Sequence, residues 1–160
     1  MVYVYGDNID TDRIIPGKYT KTLDLSTLAD HVLEDLDPSF SKNVQDGDII
    51  VAGENFGCGS SREQAPIAIK QSGVAVVIAE DFARIFFRNA INIGLPVLEI
   101  GKHNIKIGAE IKYDLKTGEV YDLSADKKYT AVKLPQIMID ILNEGGLVAY
   151  LKKNKTYKVS

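Results

Sequence analysis

The sequence predicts an α/β fold with a mixed central sheet in a single domain that covers residues 1–160. Between residues 49 and 100, short apolar segments rich in β-branched residues alternate with segments of helical periodicity, which is typical of βαβ units and a parallel sheet. After residue 101, polar and apolar residues alternate around a turn at residues 116–119, which predicts small antiparallel strands. A chain of this length, with 45% hydrophobic residues, can bury about two thirds of its unfolded surface.

The first part of the chain predicts a strand, an acidic loop and an amphipathic helix. The chain opens with strand-like alternation, and the loop that follows contains four close polar residues: Asp7, Asn8, Asp10 and Asp12. Apolar residues at i, i+3, i+4, i+7, i+8 and i+11 predict a helix over residues 25–36, with Asp24 or Ser26 as its cap and Pro38 just past its end. His31 lies off the apolar stripe, so we expect it to be solvated.

The rest of the chain predicts buried strands and three more helices. The predicted strands cover residues 49–53, 74–80 and 95–100, and the predicted helices cover residues 62–73, 81–94 and 134–143. The second of these helices has a predicted inward stripe of Phe82, Ile85, Phe86, Asn89, Ala90 and Ile93. Arg84 and Arg88 lie together on another face of that helix. The basic tail from Tyr150 onward is expected to fray.

Composition and charge exclude several classes of function. A net charge of -3, with scattered Lys and Arg, gives no basic surface for nucleic acid. The apolar runs are far shorter than the roughly 20 residues that a membrane-spanning helix needs, and the first residues have no basic leader, so we expect a cytoplasmic protein. A single cysteine, Cys58, cannot form an internal disulfide or hold a metal or an iron–sulfur cluster by itself.

The stretch GENFGCGSSREQAP, residues 53–66, carries the strongest chemical signal in the chain. It follows a predicted strand and precedes a helix, but it lacks the lysine of a P-loop, the third glycine of a dinucleotide fingerprint and the final glycine of a hydrolase elbow. Cys58 as a nucleophile would need a histidine base, and His31 and His103 lie in regions with no sign of being site loops.

Two interpretations of this stretch remain open. Ser60 and Ser61 each match a capping box, so one hydroxyl could simply cap the following helix. A cap needs only one hydroxyl, however, and the pattern places Arg62 in the first helical turn, where the helix dipole disfavours a cation, and Pro66 where it cannot donate to the carbonyl of Arg62. Departures from helix preferences that cluster at one place indicate a functional site. Here they favour a receptor for a carboxylate at a helix N-terminus.

The same stretch resembles the Gly-Ser-Ser-Arg-Glu motif of the swivel domain of the aconitase superfamily. Four blocks in order, GDNIDTDRIIPGKY, VAGENFGCGSSREQAPIAIK, FARIFFRNAINIGLPVLE and GGLVAYLKK, make the chain similar to the stand-alone small subunits of the isopropylmalate dehydratases and homoaconitases. The resemblance runs from about residue 6 to residue 153. It implies an aconitase-like swivelling β/β/α domain.

The resemblance also implies an activity and its residues. Enzymes of this family are hydro-lyases that remove water from a hydroxy acid and add it back the other way round, with a [4Fe-4S] cluster as Lewis acid. By the family pattern Ser60 is the catalytic base, Arg62 binds a substrate carboxylate, Ser61 is its hydrogen-bonding neighbour, and Thr11 and Asp12 form part of the site wall. Because this chain has one cysteine, the cluster is expected on a large subunit in a heterodimer or heterotetramer, with none bound here.

The family's substrate-discriminating loop here reads Pro-Gly-Lys-Tyr-Thr-Lys-Thr, residues 16–22. Lys21 could bind a third carboxylate as a point charge, or it could point outward and leave Tyr19, Thr20 and Thr22 to face an alkyl group. We favour isomerisation of 2-isopropylmalate and 3-isopropylmalate, as in leucine biosynthesis. A homocitrate-like or methylated malate substrate is the alternative, and a non-catalytic carboxylate-binding module is the second alternative.

Overall fold

The computed structural model describes residues 1–21 and 24–154, which form two sheets and a layer of helices. The strands are β1 (Val2–Val4), β2 (Ile49–Ala52), β3 (Val76–Ala79), β4 (Val97–Glu99), β5 (Ile111–Tyr113), β6 (Glu119–Asp122) and β7 (Lys127–Thr130). The helices are α1 (Thr11–Ile14), α2 (Ser26–Asp30), α3 (Phe40–Asn43), α4 (Gln64–Gln71), α5 (Arg84–Ile93), α6 (Gln136–Asn143) and α7 (Leu147–Asn154), with a 3₁₀ turn at Gly17–Tyr19. In this part of the chain, no helix combines the length and the apolar character needed to cross a bilayer.

The parallel sheet, in the order β1-β2-β3-β4, is covered on both faces. Alternate residues of a strand point to opposite faces, so Ile50 and Val77 pack against the helices while Val51 and Ile78 pack toward the antiparallel sheet β5-β6-β7. All four residues of β2 and of β3 are therefore buried, which explains their unbroken apolar sequence. The layers are antiparallel sheet, parallel sheet and helices.

The predicted α/β class is confirmed, but the strands do not share one mixed central sheet. β5 pairs with β6 and β6 with β7, all antiparallel, in a separate three-stranded sheet. Val120 and Ala131 of this region are buried against the parallel sheet. The two kinds of strand therefore meet face to face, through side chains, and not edge to edge, through backbone hydrogen bonds.

The helix predicted over residues 25–36 is wrong in its length, because α2 ends at Asp30. Leu33 has a φ of 56° and donates its backbone N–H to the carbonyl of Ile14 at 2.8 Å. This tertiary hydrogen bond replaces the helical one that the spacing predicted. Leu25 is 44% exposed, whereas Leu28 and Leu33 are fully buried, so only part of the predicted stripe faces the core.

Two further sequence predictions need correction. In α5, Ile85 is 50% exposed, and Ile91, which was not in the predicted stripe, is buried beside Phe86 and Ala90. The prediction that the tail frays from Tyr150 is wrong for its first residues, because α7 continues to Asn154 and Tyr150 is buried in the core. Residues 155–160 lie outside the described part of the chain.

The ends of α5 and α6 are joined by one cation. Lys70 of α4 donates from Nζ to the carbonyl of Ile93 at 2.7 Å and to the carbonyl of Gly145 at 3.1 Å. Carbonyls at helix C-termini lack helical partners, and a cation there interacts favourably with the helix dipole. Lys70 therefore holds α4, α5 and the turn after α6 together.

We expect Lys70→Met to lower the free energy of unfolding by about 1–3 kcal/mol, because it leaves two carbonyls without their charged donor. Urea unfolding followed by circular dichroism measures this loss. Lys106→Met, on an exposed turn, is the matched control and should change stability little. Equal stability of both variants would show that the Lys70 contacts contribute nothing.

Candidate active site

The loop that contains Ser60, Ser61 and Arg62 lies where two parallel strands end at the same edge of the sheet. Residues 53–63 follow β2, and the acidic loop of residues 5–10 follows its neighbour β1. Backbone hydrogen bonds join the two loops. The N–H of Gly53 donates to the carbonyl of Gly6 at 3.0 Å, and the N–H of Asn8 donates to the carbonyl of Glu54 at 2.8 Å. Further along, the N–H of Gly57 donates to the carbonyl of Ile9 at 2.7 Å, and the N–H of Thr11 donates to the carbonyl of Cys58 at 2.8 Å. The carboxyl edge of a parallel sheet is the usual place for a binding site in α/β proteins.

Two glycines allow the loop to take this path. Gly57 has a φ of 82°, and a Cβ there would lie 2.2 Å from Cγ of Phe86, which is buried in α5. Gly59 has a φ of 98°, and its Cβ position is 3.4 Å from Oγ1 of Thr11. Only glycine adopts such a φ without strain, so these two positions turn the chain back over α1 and bring the serines to it.

A pair of hydroxyls forms the centre of the site. Ser60 Oγ and Thr11 Oγ1 are 3.1 Å apart, within hydrogen-bond distance. Thr11 is only 2% exposed, whereas Ser60 and Ser61 are exposed to solvent. The buried hydroxyl is therefore held in place while its exposed partner remains accessible to a ligand.

Arg62 and Asp12 form an ion pair beside these hydroxyls. Arg62 Nη1 is 2.8 Å from Asp12 Oδ1 and 3.5 Å from the carbonyl of Ile15, and Asp12 Oδ1 also accepts the N–H of Gly17 at 3.3 Å. The guanidinium first, and the Gly17 N–H second, lower the pKa of Asp12 below its ordinary value. In the described residues, both side-chain hydrogen bonds of Arg62 are made by Nη1, so its Nε and Nη2 groups can receive an anion.

The sequence argument for a helix N-terminus at the serines is wrong. α4 begins at Gln64, its preceding residue Glu63 makes no side-chain cap, and Ser60 and Ser61 lie in the irregular segment before it. Pro66 is the third residue of the helix, where its missing N–H has no helical partner to lose. The positions of Arg62 and Pro66 thus break no helical rule, and the case for a site is carried by the contacts of Ser60 and Arg62 instead.

The other predicted binding residues follow α1. Tyr19 ends the 3₁₀ turn, where its hydroxyl donates to Glu34 Oε1 at 3.2 Å. Its ring stacks on that of His31, with centroids 3.7 Å apart and planes 4° apart, so His31 is a packed residue and not the solvated one predicted. Lys21 is exposed, and Thr22 lies outside the described residues.

Sequence reasoning missed two residues that shape the site. Asp10 caps α1 by accepting the N–H of Arg13 at 2.7 Å, and this helix carries Thr11 and Asp12. The signal was present, since Asp before a short polar-apolar turn is a common N-cap. Glu34, which binds Tyr19 and His31, had no such signal because its partners are distant in sequence or depend on the break at Leu33.

Cys58, beside the serines, does not have the environment of a nucleophile. Burial first, and Asp10 second, raise the pKa of its thiol. Cys58 is also the only cysteine of the chain, and the described residues contain no group of three His, Cys, Asp or Glu side chains able to hold a metal ion. The residues of this chain therefore do not fit an iron–sulfur cluster.

The fold and the loop define an α/β protein with an open polar site at the carboxyl edge of its parallel sheet. Residues 4–103 match the family model described as the aconitase C-terminal domain. The chain belongs to this family. The predicted swivel-type fold is confirmed by a crystal structure of 3-isopropylmalate dehydratase from Methanocaldococcus jannaschii, which is 49% identical, covers 96% of this chain and 92% of that chain, and gives a TM-score of 0.91.

Curated relatives match over nearly the full length. The 3-isopropylmalate dehydratase small subunit of Aquifex aeolicus is 56% identical, covering 98% of this chain and 95% of the relative. That of Thermodesulfovibrio yellowstonii is 52% identical, covering 95% and 92%. The methanogen homoaconitase small subunit of Methanothermobacter thermautotrophicus is 53% identical, covering 95% and 89%. Small subunits of both enzymes thus resemble this chain about equally.

The Asp12–Arg62 pair predicts a specific titration. The folded pKa of Asp12 lies below its unfolded value, so the pair stabilises the fold above the ordinary Asp range and loses this effect as the pH falls through the folded pKa. In Arg62→Gln, NMR titration of the Asp12 carboxyl should show its pKa rise toward the ordinary value of about 3.9. Asp24, whose pKa is lowered by Ser26, is the internal control and should not move. An unchanged Asp12 pKa would mean that the pair is absent in solution.

Proposed function

We propose that this chain is the small subunit of a heteromeric hydro-lyase that interconverts 2-isopropylmalate and 3-isopropylmalate by dehydration and rehydration. The family and the names of the near-full-length relatives support this class of enzyme. The single observation that carries the proposal is the pairing of exposed Ser60 with buried Thr11, next to a guanidinium with free donors.

Ser60 is proposed as the base that removes the proton from the carbon next to a substrate carboxylate. Exposed Ser60 would first release its own proton to solvent water, and the resulting alkoxide would then take the substrate proton and become a hydroxyl again. A serine hydroxyl ionises in this way only if donors stabilise the alkoxide. Thr11 Oγ1 is 3.1 Å away and can donate to this oxygen. Because Thr11 is buried and its backbone N–H is fixed to Cys58, the donor needs little reorganisation when the charge appears.

Arg62 is proposed to bind a carboxylate of the substrate. With Nη1 held by Asp12, the Nε and Nη2 groups present two parallel donors, which suit the two oxygens of a carboxylate. Asp12 and the carbonyl of Ile15 hold the guanidinium beside the C-terminal end of α1. Ser61, exposed next to Ser60, is proposed as an additional donor to the substrate.

The open position of Ser60 supports a site completed by another chain. A strong base acting on a weakly acidic carbon must be shielded from water, yet Ser60 and Ser61 are exposed in this chain. We infer that a large subunit covers this edge of the sheet and carries the [4Fe-4S] cluster that this chain does not fit, in a heterodimer or heterotetramer located in the cytoplasm.

A homoaconitase-type activity is the second candidate. One relative at 53% identity is named as a methanogen homoaconitase small subunit, and Lys21 places an exposed cation just after the 3₁₀ turn, where it could bind a third carboxylate. A hydratase of methylated malates would use the same protein residues on a substrate with a smaller substituent. A non-catalytic carboxylate-binding module would have no need of the Ser60–Thr11 pair.

Ser60→Ala should abolish hydratase activity in the enzyme reconstituted with a cluster-bearing large subunit. The expected loss in kcat is at least about 10²–10³-fold, because the variant keeps the carboxylate clamp but lacks the base. Ser124→Ala, in the exposed turn between β6 and β7, is the matched control and should retain the wild-type kcat. Gel filtration of both variants with the large subunit checks that assembly is intact. Activity of Ser60→Ala near that of the wild type would remove Ser60 from the reaction.

A panel of isopropylmalate, homocitrate, citrate and dimethylmalate separates the candidate substrates. We expect the highest kcat/KM for isopropylmalate and little effect of Lys21→Met on it. If Lys21 binds a third carboxylate, the same variant should lower kcat/KM for homocitrate by about tenfold or more. A preference of the wild type for homocitrate would establish the second candidate in place of the first.

A further inference from the structure

We propose that Glu34 and His31 are positioning residues that hold Tyr19, and with it the segment of residues 17–21, in the shape that receives the substrate side chain. This inference rests on the proposed function, since it deepens the role of the same site. Neither residue belongs to the loops at the sheet edge, and neither is predicted to touch the reacting atoms.

Glu34 binds the two aromatic side chains through one oxygen. Glu34 Oε1 accepts the Tyr19 hydroxyl at 3.2 Å and lies 3.3 Å from Nδ1 of His31. Tyr19 first, and His31 to a smaller extent, lower the pKa of Glu34, so the carboxylate is ionised at neutral pH and acts as an acceptor. In the range of residues that the structure covers, its second oxygen is buried without a hydrogen-bond partner, which is unfavourable for stability alone.

His31 fixes the plane of the Tyr19 ring. The two rings are parallel within 4° at a centroid distance of 3.7 Å, and Nζ of Lys18 lies 5.1 Å from the centroid of the tyrosine ring. The hydroxyl, the ring face and the neighbouring cation thus each constrain Tyr19. A tyrosine held in this way can serve as a wall of fixed position for a bound side chain.

The backbone next to Glu34 is anchored to α1, the helix that carries Thr11 and Asp12. Leu33, directly before Glu34, is fully buried and donates its N–H to the carbonyl of Ile14 in α1 at 2.8 Å. Asp37 donates its N–H to Leu33 at 2.8 Å and accepts the hydroxyl of Tyr5 at 2.8 Å. Glu34 therefore has a fixed backbone position relative to α1, and so does the ring that it binds.

The opposite end of the same segment is held by the ion pair. Gly17 donates its N–H to Asp12, and its Cβ position is 3.1 Å from Nη2 of Arg62. The segment is thus tied at Gly17 to the carboxylate clamp and at Tyr19 to Glu34 and His31. Release of the Tyr19 end should loosen substrate side-chain binding and leave the base, which lies on the other loop, unaffected.

The kinetic test uses the reconstituted enzyme with isopropylmalate and homocitrate as substrates. Glu34→Gln and His31→Ala should each raise KM by about five- to tenfold and change the preference between the two acids, with kcat within about twofold of the wild type. His31→Phe, which keeps a stacking ring, should bring KM most of the way back to the wild-type value. Glu144→Gln, which loses only the surface pair with Lys153, is the matched control.

A double-mutant cycle tests whether Glu34 acts through Tyr19. Tyr19→Phe removes the hydroxyl donor, so Glu34→Gln should add little to KM in that background. Additive effects would mean that Glu34 acts elsewhere and would overturn the proposal. Unchanged KM and substrate preference in Glu34→Gln and His31→Ala would also overturn it.

Hydrogen exchange on the isolated chain provides a readout that does not need activity. The N–H groups of Tyr19 and Thr20 are bonded within the 3₁₀ turn, and their protection should fall in Glu34→Gln and His31→Ala but not in Glu144→Gln. Unchanged protection overturns the positioning role whatever the substrate is. A wild-type enzyme inactive on both acids would refute the proposed function, while the exchange result would still decide whether Glu34 and His31 hold the segment.

Discussion

The parallel pairing of β1 with β2 is the constraint on which the site depends. It sets Val2 beside Ile49, and the two strands then end together, so the loops that follow meet although they are nearly 50 positions apart in the chain. The backbone hydrogen bonds of Asn8, Gly57 and Thr11 continue this pairing beyond the sheet. Without it, Thr11 and Asp12 would have no fixed relation to Ser60 and Arg62.

The site divides into a rigid interior and an open face. Thr11 is buried and Gly57 is packed on Phe86, which leaves the loop no room to shift inward. Ser60 and Ser61 face solvent from this support. In the proposed function, buried Thr11 supplies the fixed donor that an alkoxide at Ser60 would require, and the proposed large subunit supplies the exclusion of water.

Local sequence rules worked where secondary structure is independent of distant contacts and failed where such contacts compete. The buried strand β2 and the glycine that ends α5 followed their patterns. The helix over residues 25–36 did not, because Leu33 bonds to Ile14. The start of α4 was misplaced because Ser60 turns toward Thr11 and does not cap the helix, so the argument for a site from a serine-capped helix start was wrong.

The sequence by itself determined the α/β class, the family and the identity of the loop that holds Ser60, Ser61 and Arg62, because apolar periodicity and a glycine-serine-arginine motif are local properties of the chain. Only the tertiary structure decided that the strands form two stacked sheets, that Asp12 holds Arg62 and that Glu34 and His31 hold Tyr19. These are contacts between segments distant in sequence or around an irregular backbone, and no spacing rule within one segment specifies them.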